Sequence, residues 1–142
     1  MQSPLIFFLI DNDEEDQEIF NLALNEIDPA INCLFGDNCH SAINKLDADT
    51  SLIPFMIFID MNMPLVNGTG CLQKIKSIPR LKKVPVYMYS TAGDPRAMKE
   101  AKELGADDFI VKPSSFQGLV NLLSQLLQTM QTSEHEKKKD DE

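Results

Sequence analysis

Polar residues stand where four short apolar runs end, and their types together suit phosphoryl chemistry at a carboxylate. Asp11 and Asn12 follow the run 5–10, Asp60 closes 54–59, Ser90 follows 85–89, and Lys112 follows 109–111. An aspartate is already ionised at neutral pH, so Asp60 can attack phosphorus without a base and become an acyl phosphate. Asp11, Asn12 and Asp60 make an oxygen-rich set suited to magnesium, which takes one or two carboxylates, keeps several waters and binds beside phosphate. Such a cation offsets the repulsion between a carboxylate and an incoming dianionic group. Lys112 brings a mobile positive charge for one phosphoryl oxygen, and the Ser90 hydroxyl can hydrogen-bond another. Each residue also has an ordinary structural reading. Asp60 can cap or turn the chain, Ser90-Thr91 can open a helix ahead of Asp94-Pro95, Lys112 can be a surface lysine, and the acidic run 13–16 suits a helix N-terminus. Only their joint placement raises chemistry above those readings.

That placement depends on the elements. Apolar runs alternate with helix-like segments: 5–10, 31–35, 54–59, 85–89 and 109–111 read as strands, the fully apolar ones as strands covered on both faces. Between them, Ile19, Phe20, Ala23, Leu24 and Ile27 share one helical face over 14–27, which Asp28-Pro29 ends. Ala42, Ile43 and Leu46 mark a short helix. Cys71, Leu72, Ile75 and Ile78 mark another, ended by Pro79, and Ala97, Met98, Ala101 and Leu104 a fourth, stopped by Gly105. A last helix is expected from about Phe116 to Met130. Five such units predict an α/β fold, a doubly wound parallel sheet with helices on both faces. In an open parallel sheet, sites form beyond the C-terminal strand ends, where the four polar positions converge. Residues 4–131 are read as one domain, and 132–142, without an apolar residue, as a disordered charged tail.

The chain has 142 residues, 43% of them apolar, enough to bury roughly two thirds of its unfolded surface without a disulfide or metal. Its 13 basic and 22 acidic side chains leave a net charge of −9, which argues against nucleic acid and anionic membranes as partners. No apolar stretch approaches the roughly 20 residues of a membrane span, and Met1-Gln2-Ser3-Pro4 lacks the basic start of a secretory signal. A cytoplasmic location is expected. Cys33, Cys39 and Cys71 form no CxxC pair and read as reduced thiols, with a Cys33–Cys39 meeting as the alternative. His40 and His135 read as surface residues, and Met61, Met63, Met88 and Met98 as packing.

The motifs FFLIDNDEED, FIDMNMPLVNG, PVYMYSTA and GADDFIVKP resemble those of response-regulator receiver domains, over about residues 4–130. The segment IPRLKKVPV resembles small stand-alone receivers related to phytochrome-associated regulators. The resemblance implies a flavodoxin-like (βα)5 fold with strand order 2-1-3-4-5 and a magnesium-dependent phosphoacceptor at Asp60. By motif, Asp11 matches the first residue of the acidic pair, Asn62 the residue whose carbonyl ligates the ion, and Ser90 the switch hydroxyl. Lys112 matches the family's lysine, Pro113 the proline after it with a cis bond, and Phe109 the aromatic switch. A histidine kinase or histidine phosphotransfer protein would be the donor, and a downstream protein would read the face made by the fourth helix, the fifth strand and the last helix. Whether that face also forms a homodimer is left open.

One departure stands out. Asn12 occupies the second acidic position, so two carboxylates replace three; an amide oxygen still ligates a hard cation but brings no charge. Weaker magnesium binding and slower transfer are expected. The alternative is a pseudo-receiver, a constitutive protein-interaction module without phosphotransfer. A flavin- or nucleotide-binding protein is disfavoured, because DNDEED would repel phosphate and no glycine-rich cradle is present. No metabolic enzyme activity is expected.

Overall fold

The computed structural model describes residues 5–61, 68–91, 93 and 95–140. The apolar runs form five parallel strands, β1 (Ile6–Ile10), β2 (Asn32–Gly36), β3 (Met56–Asp60), β4 (Val86–Ser90) and β5 (Asp108–Val111), in the order β2-β1-β3-β4-β5. Parallel neighbours need crossovers, and helices α1 (Glu14–Ile27), α2 (Cys39–Ala48), α3 (Gly68–Lys76), α4 (Pro95–Glu103) and α5 (Phe116–Asp140) supply them. A single 3₁₀ turn, Pro79–Leu81, lies between α3 and β4.

Alternation along each strand sorts side chains to two cores. Phe7, Leu9, Phe58, Tyr87 and Tyr89 face α1 and α5, meeting Phe20, Leu24, Leu119 and Leu123. Phe8, Ile10, Ile57, Ile59 and Met88 face the opposite way, toward Leu46 of α2, Leu72 and Ile75 of α3 and Ala101 of α4. The strands are therefore covered on both faces, as continuous apolar runs demand.

Helix ends follow local chemistry. Asp13 caps α1, its side chain accepting from the amides of Glu15 and Asp16, and Asn38 caps α2 by accepting from Ser41 N. Gly105, at φ 104°, ends α4. Its amide donates to Lys102 O and that of Ala106 to Ala101 O, the paired bonds of a Schellman turn.

Two expectations need correction. Cys39 and Cys71, read as reduced, are bonded to each other as a disulfide, with Cα atoms 5.6 Å apart. The reason is tertiary: α2 and α3 pack side by side on one face, bringing both cysteines within bridging range. Cys33 lies against the opposite core, so it cannot meet Cys39; it stays free, with burial pushing its thiol up to about 12. The α5 backbone runs from Phe116 to Asp140. Finally, no cis peptide occurs among the described residues, so Lys112–Pro113 is trans; X–Pro bonds favour trans by about 0.5–1 kcal/mol.

Candidate functional site

The parallel register brings the polar strand ends together. Asp60 pairs with Tyr89 across β3–β4 and Ser90 with Val111 across β4–β5. The ladder continues one step further, with Lys112 N donating to Ser90 O at 2.7 Å and Asp11 N to Gly36 O at 3.0 Å. Asp11, Asp60, Ser90 and Lys112 thus share one rim of the sheet, where β1 and β3 send their following helices to opposite faces. That is the crevice in which open α/β sheets bind ligands.

Lys112 sits at the centre. Its Nζ lies 3.2 Å from Asp16 Oδ2, 3.4 Å from Asp60 Oδ1 and 3.7 Å from Asp11 Oδ2. The Tyr89 ring lies beneath it, 5.1 Å from Nζ to the centroid, within cation–π range. Burial works against the lysine charge, but Asp11, Asp60 and Asp16 outweigh it and raise the Lys112 pKa. Asp11 is wholly buried, and that burial, with the nearby Asp60 charge, pushes its carboxyl up to about 6, against the pull of a hydrogen bond from Asp13 N and of Lys112. Gln17 braces the same corner, donating to Asp11 O at 2.6 Å and Asp37 Oδ1 at 2.9 Å.

Asp11, Asp60, Ser90 and Lys112 are brought together as the sequence led one to expect. Asn12 is exposed at the start of the loop, Asp13 is spent on capping α1, and Asn62 lies outside the described residues. Phe109 is buried at 6% exposure against the core shared with α2, α3 and α4, so its ring already points inward. Two contributors were missed. Asp16 was read as part of an acidic helix start, and Tyr89 only as part of the strand 85–89. Helical spacing held the signal for the first: Asp16 lies one turn before Phe20, on the face of α1 that turns to the sheet. Tyr89 immediately precedes Ser90, and strand alternation turns it to the opposite side, under Lys112.

The donor set fits a hard cation in part. Asp11 Oδ2 is buried with no hydrogen-bond partner among the described residues, an oxygen available to a ligand beside Asp60. Among the described residues, however, no group of three or more His, Cys, Asp and Glu side chains is arranged to hold a metal. Two carboxylates completed by water remain within magnesium's habits.

Comparison with known proteins agrees with this geometry. The chain is 34% identical over 88 residues to the chemotaxis protein CheY1 of Helicobacter pylori, covering 62% of this chain and 69% of CheY1. To the two-component response regulator ORR11 of Oryza sativa it is 38% identical over 72 residues, covering 51% of this chain and 49% of ORR11. To protein RcaC of Microchaete diplosiphon it is 32% identical over 78 residues, 55% of this chain but 12% of RcaC. The chain thus spans about half of one of these relatives and far less of another. In fold it resembles the phosphorylated cyanobacterial phytochrome response regulator RcpA (TM-score 0.80, 21% identity, 92% of this chain and 96% of RcpA). The Vibrio cholerae chemotaxis protein CheY4 is also similar (TM-score 0.74, 20% identity, 86% and 98%). No helix among the described residues is long and apolar enough to cross a membrane. With residues 7–124 matching the response regulator receiver domain, a parallel sheet ordered 2-1-3-4-5 and a lysine set among aspartates at its C-terminal rim, this chain belongs to the receiver-domain family.

Proposed function

We propose that the protein is a phosphorylation-dependent signalling switch that accepts a phosphoryl group on Asp60 from a histidine kinase or histidine phosphotransfer protein. The observation that carries this reading is the Lys112 ammonium placed 3.4 Å from the buried Asp60 carboxylate, beside the orphaned oxygen of Asp11. Packing requires no such arrangement. An Asp60 oxygen attacks phosphorus, the P–N bond to the donor imidazole breaks, and a mixed anhydride forms. Lys112 draws one phosphoryl oxygen and the Ser90 hydroxyl donates to another. Asp11 and Asp60, with the Asn62 carbonyl and the Asn12 amide oxygen, would hold a magnesium ion, which would supply charge neutralisation. Attack by water on phosphorus breaks the P–O bond to Asp60, releases inorganic phosphate, returns Asp60 to its carboxylate and resets the switch. The protein assists only its own modification, so it is a signalling component, not a metabolic enzyme.

The readout belongs to Ser90 and Phe109, whose packing beside α4 and β5 couples the modified rim to a protein-binding face. A downstream protein is the target, and a cytoplasmic location suits the acidic surface. The competing reading, a pseudo-receiver, draws on Asn12. Incubation of intact protein with acetyl phosphate, with and without magnesium, separates the two. Magnesium-dependent addition of one phosphoryl mass, absent from Asp60→Asn, is the expected result. No labelling by acetyl phosphate or by any phosphorylated phosphotransfer protein, together with no magnesium binding, would establish the pseudo-receiver instead.

A further inference from the structure

Lys112 has three carboxylate neighbours, and they are not equivalent. The Asp16 contact, at 3.2 Å, is shorter than those to Asp60 and Asp11 and is a hydrogen bond as well as an ion pair. The Asp11 and Asp60 side chains are 0% and 4% exposed, whereas that of Asp16 is 42% exposed. If Lys112 moves away, water can solvate Asp16 at once, while Asp11 and Asp60 are shielded from water. Asp16 is therefore the neighbour that releases the lysine at least cost. Its position is also fixed: it stands in the first turn of α1, its amide donating to the capping Asp13 carboxylate at 3.3 Å.

The lysine has room to move. Asp16, Tyr89 and Lys112 line a cavity of about 240 Å³ together with Pro113, Ser115 and Phe116. The Tyr89 ring forms a flat floor over which a cation can slide without losing its partner.

We infer that Asp16 is a latch on Lys112, holding the ammonium in the unphosphorylated protein and competing for it with the phosphoryl oxygen that arrives on Asp60. The inference rests on the phosphoacceptor reading and adds to it a positioning residue on α1. Phosphorylation then does more than engage Lys112: it releases the Asp16 carboxylate, so the modified state is also marked on the α1 side. A latch closed in most molecules lowers the apparent affinity of any ligand that needs the free ammonium, in proportion to the fraction that is open.

The test uses the full chain with magnesium and beryllofluoride, a phosphoryl mimic, followed by fluorine NMR. Asp16→Asn should bind beryllofluoride about fivefold more tightly than the unaltered protein, the scale of a partly exposed ion pair. Asp16→Glu, which restores the carboxylate, should return the affinity toward its original value. In a Lys112→Ala background, Asp16→Asn should have no effect, since the latch has nothing to hold. An unchanged or weaker affinity in Asp16→Asn overturns the latch, as does equal tightening with and without Lys112, which would show general charge repulsion. A protein that takes no beryllofluoride, and behaves identically as Asp60→Asn, overturns the phosphoacceptor reading and the latch with it. A protein that binds the mimic normally but fails the Lys112 comparison loses only the latch.

Discussion

The middle of the sheet and its C-terminal rim are built on opposite terms. Along β1, Phe7, Phe8, Leu9 and Ile10 are fully buried among apolar neighbours; the next residue, Asp11, is just as buried but carries a carboxylate. Along β3 the same change occurs between Ile59 and Asp60. Asp11, Asp60 and Ser90 are the buried polar residues among those described, and all three lie at that rim. The interior gains stability from desolvation and close packing. The rim loses some of it, because it keeps carboxylates out of water with one ammonium shared among them. Substitutions in the two regions should therefore move stability in opposite directions, which makes the contrast testable.

The largest effect is expected in the interior. Phe58 is fully buried, with ring centroids of Phe20 and Tyr87 at 5.1 and 5.2 Å and of Phe7 and Tyr89 at 6.3 and 6.1 Å. Phe58→Ala should cost about 3–5 kcal/mol in urea unfolding, through lost burial and a cavity that neighbouring rings cannot fill. A cost below about 1 kcal/mol would mean that the aromatic interior is not what holds the sheet.

At the rim the sign reverses. Burial lifts the Asp11 pKa from 3.8 to about 6. Below pH 4 both the folded and unfolded chains hold this proton, and Asp11 contributes nothing to pH dependence. As pH rises from about 4 through 6, the unfolded chain has already released the proton that the folded chain still binds. Stability therefore falls across that window and stays lower above it. Asp11→Asn, which never ionises, should be more stable than the unaltered protein by about 1–3 kcal/mol at pH 8, with chelator present. The difference should vanish near pH 4. Equal stability of the two proteins at pH 8 would show that Lys112 fully compensates the buried charge.

The same contrast governs what the sequence revealed. Strands in the interior were legible because they are unbroken apolar runs, although bounds moved by a residue or two: 31–35 became Asn32–Gly36, 54–59 became Met56–Asp60 and 85–89 became Val86–Ser90. The mixed pattern of β2, NCLFG, carries a weaker signal than IFFLI or MIFID. Gly105 and Asp13 were legible as helix boundaries because capping is local. The rim residues Asp11, Asp60, Ser90 and Lys112 could be named because each ends or directly follows an apolar run. Asp16 could not be named in this way, since its approach to Lys112 depends on how α1 lies against the β5–α5 connection, 96 residues away in sequence. The Cys39–Cys71 bond was hidden for the same reason: only the packing of α2 beside α3 brings those residues together.

The smallest effect concerns the one residue that belongs to both regions. Tyr89 packs steeply inclined to the rings of Phe20 and Phe58, at 71° and 77°, as an interior residue does, yet presents its face to the Lys112 ammonium. Tyr89→Phe keeps the ring and should leave both stability and Asp60 labelling close to normal. Tyr89→Leu keeps an apolar side chain but removes the π face, which contributes about 0.5–1 kcal/mol to a cation at a partly exposed site. Relative to Tyr89→Phe, it should label about two- to fivefold more slowly with a small phosphodonor, because Lys112 is less well held over the rim. Lys112→Ala provides the control: without the ammonium, the leucine and phenylalanine variants should label at equal rates. Should the difference persist there, Tyr89 acts through packing of the α1–α5 face alone, and the boundary between interior and rim runs between Tyr89 and Ser90.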